Sequence, residues 1–208
     1  MPHLVSLNAG LPKVIGERKG EPVISGIDKR PIEGRHAVRG VNLVGDGQAD
    51  LSVHGGVDKA IYAYASEDAA WWAEQLGREI WHGMFGENLT TAGVDCSGAV
   101  VGERWVIGDL VLEVCQPRLP CFKLGMQFGD PKMLKAFVQA SRPGAYLRIV
   151  QEGDVAAGDA IEVVDRPSHG VTVAIVADAI QKDIALAPRA LEAPQLAEGL
   201  AGWLRERV

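Results

Sequence analysis

The chain has 208 residues, 47% hydrophobic and 23% charged, a balance that suits a globular protein with one substantial core and excludes an intrinsically disordered one. A formal charge of −6 gives no basic excess for a nucleic-acid polymer, so any nucleotide-like ligand is expected to be a small molecule. No run of about 18 apolar residues exists and Met-Pro-His-Leu-Val lacks the features of a signal peptide, which predicts a cytoplasmic protein without a membrane span.

In chain order, turns at Gly34, Gly40, Gly45-Asp46-Gly47, Gly108-Asp109, Gly153-Asp154 and Gly158-Asp159 separate short strand-like segments. Residues 61–64 read as a strand. Ser66 is expected to cap a helix that runs to about Leu76, with Glu67 and Asp68 in its first turn and Gly77 as its stop. Residues 110–115 alternate as a strand, ending near Cys115. Asp130-Pro131 opens a helix to about Ala140, terminated by Arg142-Pro143-Gly144. Residues 145–150 alternate too, with Tyr146 and Arg148 on the face opposite Leu147 and Ile149, and 161–164 form a further strand. So many short strands predict a barrel or folded sheet, in which closure removes exposed edges.

After about Asp165 the turn cluster Arg166-Pro167-Ser168-His169-Gly170 leads into an alanine- and leucine-rich tail, which sets domains at 1–165 and 166–208. Thr172 is expected to cap a helix with Val173, Val176, Ala177 and Ile180 on one face. Leu196, Leu200, Trp203 and Leu204 repeat at helical spacing, and Pro188 and Pro194 separate the pieces.

The chemistry concentrates in Gln116-Pro117-Arg118-Leu119-Pro120-Cys121-Phe122-Lys123-Leu124. Two prolines impose a stiff, non-helical loop that presents the Cys121 thiol, and the neighbouring Arg118 and Lys123 favour its thiolate. Buried, inert filler is the competing reading of Cys121, and Cys115, in the strand, and Cys96, in the turn-like segment 94–98, are given no catalytic role. The three cysteines have neither zinc-ligand nor disulfide-framework spacing. In His54-Gly55-Gly56-Val57-Asp58-Lys59 the glycines allow close approach of backbone to a ligand, while Asp58 is read as holding Lys59. Asn88, in Gly86-Glu87-Asn88-Leu89-Thr90, is either a pocket amide or a turn residue bonded to its own backbone. Arg148, on an otherwise apolar strand, requires an anion: a structural carboxylate by default, a cofactor phosphate otherwise. Lys29 is the other candidate for phosphate.

The Cys121 segment, together with His-Gly-Gly-Val-Asp-Lys-Ala from His54 and Phe-Gly-Glu-Asn-Leu from Phe85, resembles the MOSC domain family, relatives of the C-terminal part of molybdenum-cofactor sulfurases. The likeness runs from about Val5 to the C-terminus and is greatest to the stand-alone YiiM-like bacterial branch, associated with resistance to N-hydroxylated purines. It implies a mainly β fold, a MOSC-type β-barrel with interspersed helices and a small C-terminal helical appendage. It also implies a molybdenum cofactor with Cys121 as metal ligand and catalytic centre, and Lys29, His54, Lys59, Asn88, Arg118 and Arg148 as cofactor-binding residues. In related reductases a serine follows the lysine at Lys29, whereas here Arg30 does. The implied activity is reduction of an N-hydroxylated base. Electrons would come from a separate reductase, because no Gly-x-Gly-x-x-Gly fingerprint follows a strand and three cysteines cannot build a four-cysteine iron–sulfur site. The alternative is a sulfur-carrier or cofactor-delivery protein using a Cys121 persulfide.

Overall fold

A computed structural model describes residues 1–49 and 55–208. The sheet that carries the site is built from β1 (His3–Ala9), β4 (Arg30–Ile32), β7 (Ile61–Ala65), β8 (Leu89–Ala92), β9 (Arg104–Ile107), β10 (Leu110–Pro117), β11 (Ala145–Gln151) and β13 (Glu162–Val164). Its order is β13-β9-β10-β11-β7-β8-β1-β4. Neighbours are antiparallel except β7 and β8, which run parallel with Ala63 opposite Leu89. A parallel pair needs a crossover, supplied here by α1 (Ser66–Leu76) and the segment 77–88. A three-stranded sheet joins β12 (Gly153–Val155), β5 (His36–Arg39) and β6 (Asn42–Leu43), and β2 (Lys13–Arg18) pairs with β3 (Glu21–Ser25) as a separate hairpin.

The end strands β13 and β4 do not pair, so among the described residues the strand ladders do not form a closed barrel. One bridge, His3 to Ala160, and the bonds Leu4 N to Asp159 O (2.9 Å), Gly158 N to Leu4 O (2.8 Å) and Ile161 N to Pro2 O (3.0 Å) tie the start of β1 to the segment leading into β13.

Helix α1 has the predicted span and ends on Gly77 in the left-handed region (φ 59°), but Ser66 is not its cap. Ala65 occupies that position, and the Ser66 hydroxyl donates to Glu67 Oε2 instead (3.2 Å). The helix expected from Asp130 begins later, as α3 (Met133–Ala140), because the Asp130 carboxylate accepts from Lys132 N (2.8 Å) in a preceding turn that contains Pro131. Strand β10 runs two residues past Cys115, to Pro117. A helix without an obvious sequence signal, α2 (Phe122–Phe128), starts directly after Cys121. Its Gly125 reads as a breaker yet allows the packing: a Cβ there would lie 3.1 Å from Leu134 Cδ1 and 3.2 Å from Asp130 O.

The tail forms α4 (Val173–Gln181), α5 (Ala187–Ala190) and α6 (Glu198–Arg205). Thr172 Oγ1 accepts from Ile175 N (3.2 Å), as the sequence predicts. Pro188, expected to separate pieces, instead lies in the first turn of α5, where its fixed φ suits the helix. The tail shares one hydrophobic core with the sheet: Leu7, Trp105, Leu112 and Leu147 pack in the same cluster as Val173, Val176, Ala190 and Leu204. A second cluster, rich in aromatics, gathers Tyr62, Tyr64, Trp72, Phe85, Phe128 and Phe137. No helix among the described residues is long and apolar enough to cross a membrane.

Candidate functional site

One cleft of about 690 Å³, counted out to its open mouth, collects side chains from most of the chain. Lys29 enters it from the β3–β4 connection, Asp46 from the turn after β6, Lys59 from the 3-10 turn Val57–Lys59, and Asn88 from the residue before β8. Tyr62 of β7 and Tyr146 of β11 form its floor, and the β10–α2 loop contributes Arg118 and Cys121, followed by Lys123 at the start of α2. The wall is possible because glycines let two loops cross: a Cβ at Gly26 would lie 2.3 Å from the Gly47 carbonyl.

Cys121 has extended backbone (φ −123°, ψ 174°) and is half-buried, with Leu124 N donating to its carbonyl (2.9 Å). Cys96 and Cys115 are fully buried, which pushes both thiols far up from their ordinary range. The accessible cysteine is therefore the one in the cleft.

Arg118 is only 7% exposed, and its Nη1 has no hydrogen-bond partner among the described residues. Its guanidinium lies 5.6 Å from the Tyr62 ring centre and 5.4 Å from that of Phe137, contacts that hold its plane without using its N–H donors. A buried guanidinium donor left unmatched is costly, and Arg118 is among the residues that line the cleft.

Lys29 pairs with Asp46, and the two side chains are 8% and 2% exposed. Burial pulls the Lys29 ammonium below its ordinary range, while Asp46 and then Glu87 pull it back up. Asp46 also accepts from Gly10 N (2.9 Å) and from Asn88 Nδ2 (2.9 Å). The other end of the Asn88 amide accepts from Tyr62 N (3.2 Å), so the side chain is oriented at both ends and is not a turn residue bonded to itself. Beside it, burial raises the Glu87 carboxyl to about 7, against the opposing pull of N–H groups from Gly83 and Phe85 and the Thr90 hydroxyl (3.1 Å).

Arg148 does not line the cleft. Its Nε donates to Asp58 Oδ1 (2.5 Å) and its Nη1 to Glu113 Oε1 (3.1 Å), so carboxylates of the chain satisfy the anion requirement. Asp58, read from sequence as a support for Lys59, gives its carboxylate to Arg148 instead. His54 lies outside the described residues. Asp46, in a turn between two glycines, and Tyr62, in a strand, also belong to the site, and nothing local in the sequence marks either as facing a cleft.

Among the described residues, no group of three or more His, Cys, Asp or Glu side chains could hold a metal ion. The family signature of the MOSC domain matches residues 50–162, a span that contains Lys59, Asn88, Arg118 and Cys121. The chain belongs to the MOSC domain family. This MOSC chain is 38% identical over 170 residues to YflK of Bacillus subtilis, covering 82% of the chain and 76% of YflK. It is 32% identical over 152 residues to a protein of Gibberella moniliformis named reductase, covering 71% of the chain but only 27% of that protein. The crystal structure of YiiM from Geobacillus stearothermophilus superposes with a TM-score of 0.80 at 29% identity, covering 100% of this MOSC chain and 99% of YiiM.

Proposed function

We propose that this MOSC protein is a molybdenum-cofactor-dependent reductase of N-hydroxylated bases, with Cys121 as its ligand to molybdenum. The observation that carries the reading is the unpartnered Nη1 of buried Arg118, in a cleft with an accessible thiol and three further cations, Lys29, Lys59 and Lys123. MOSC domains are associated with molybdenum-cofactor binding, and the donor set fits that group: one soft sulfur for the metal, and cations for an anionic organic tail. Arg118, Lys29 and Lys59 would hold the oxyanions, Asn88 would present an oriented amide, and Tyr62 and Tyr146 would wall the cleft against water. When bound, the cofactor supplies the two-electron oxygen-atom chemistry. Electrons come from a separate reductase protein. A reducing, cytoplasmic setting keeps Cys121 a thiol. The sheet belongs to this reading as a MOSC-type barrel, with the backbone bonds between Pro2, Leu4 and residues 158–161 as its seam.

The test is metal analysis of gently purified protein, coupled to reduction of an N-hydroxylated purine with a reduced dye as donor. Stoichiometric molybdenum and turnover are expected, both lost in Cys121→Ser while the melting temperature equals that of the cofactor-free wild type. Sulfane sulfur on Cys121 without molybdenum would overturn this in favour of a sulfur carrier.

A further inference from the structure

The Gly45-Asp46-Gly47 turn delivers a buried carboxylate to the cleft wall, where each of its oxygens is engaged. Oδ1 receives Gly10 N and the Lys29 ammonium, and Oδ2 receives the Asn88 amide. The anchor is backbone at the end of β1, reinforced by Gly47 N donating to Gly10 O (3.1 Å), so the carboxylate is fixed independently of the two side chains it holds. Lysine has a long, flexible stem and strong hydration, and burial to this depth favours either its neutral form or an escape to solvent unless an anion faces it.

We propose that Asp46 is a positioning residue of the cleft: it fixes the Lys29 ammonium and the Asn88 amide on the wall, so that a ligand oxyanion meets a cation and a donor already in place. This rests on the anion-binding reading of the cleft and names the residue that prepares it. Among the described residues, the groups that bear on Lys29 are Asp46 and Glu87, and the other titratable or charged groups of the cleft are Lys59, Tyr62, Arg118, Cys121, Lys123 and Tyr146, the two tyrosines with hydroxyls pushed up by burial. Asp46 is the one among them in direct contact with the ammonium through an ion pair.

A merely structural Asp46 would alter stability; a positioning Asp46 alters the pH range over which Lys29 is charged. The sign follows from the balance at Lys29. Without the Asp46 charge, burial dominates, so the ammonium is present at low pH and lost as pH rises. The probe is inorganic sulfate, whose charge is constant from pH 6 to 9.5, titrated calorimetrically into the cofactor-free full chain. Asp46→Asn should match or exceed wild-type affinity at pH 6, then fall relative to wild type by about tenfold by pH 9.5 as a charge-assisted contact disappears. The relative fall should vanish when Lys29→Met and Lys29→Met/Asp46→Asn are compared. Parallel profiles for wild type and Asp46→Asn, or the same fall in the Lys29→Met background, would overturn the proposal. If Asp46→Asn does not fold, Asp46→Glu replaces it: a displaced charge should weaken sulfate binding with no change of pH profile, and unchanged affinity overturns the idea. Molybdenum content stands apart, since the expected sulfate behaviour in a protein that never holds molybdenum would sink the cofactor reading and leave Asp46 in its role.

Discussion

Around Arg148 the charge is answered from within the chain, and around Arg118 one donor is not. Arg148 sits on the β11 face between Asp58 and Glu113, while the Asp58 carbonyl accepts from Gln116 Nε2 (2.6 Å) and from the Cys115 thiol (3.2 Å). That region answers the arginine charge with two carboxylates and serves as scaffold, holding the segment before β7 onto β10 and β11. Arg118 follows directly on β10, is more deeply buried, and is held by ring faces that leave its buried Nη1 without a hydrogen-bond partner among the described residues. Burial alone does not distinguish a structural arginine from one built for a ligand; the state of its donors does.

The sharpest way to break this contrast is Arg118→Met, expected to weaken retention of the anionic cofactor by about ten- to a hundredfold, the worth of a hydrogen bond to a charged group. Arg118→Lys should be intermediate, because charge survives and the planar fork does not. Molybdenum content after dialysis reads both, and full retention in Arg118→Met would move Arg118 to the scaffold side. Arg148→Met should do the reverse, lowering stability in urea by about 1–3 kcal/mol while leaving molybdenum content unchanged. Loss of metal from a still-folded Arg148→Met would erase the distinction.

Glu87 sharpens the comparison through pH. Its carboxyl is raised by burial to about 7 in the folded protein, above the unfolded value, so its protonated form favours folding. That contribution is full below the unfolded value and is lost as pH rises toward and through about 7. The stability of the wild type relative to Glu87→Gln should therefore fall between pH 4.5 and pH 8, as measured by urea unfolding, and a constant difference would refute the burial argument. The smallest effect is expected far from the cleft: Thr172→Ala removes the cap of α4 and should cost about 1 kcal/mol, with no change in metal content.

Sequence by itself determined the features that depend on near neighbours. The Pro-Arg-x-Pro-Cys loop, the alternation of β10 and β11, the span of α1 to Gly77 and the Thr172 cap all follow from dihedral preferences and short-range periodicity, and the structure shows them. The motifs around Lys59, Asn88 and Cys121 were legible as a resemblance for the same reason. Tertiary structure decided which charges meet. Arg148 and Asp58 are 90 positions apart, and Asn88 and Asp46 are 42 apart, so no local pattern could assign one pair to scaffold and the other to a cleft wall. The start of α2 after Cys121, the parallel pairing of β7 with β8 and the burial of Asp46 were decided the same way. Desolvation and strand pairing are properties of the assembled fold, and they turned a glycine-flanked turn into the support of a buried cation.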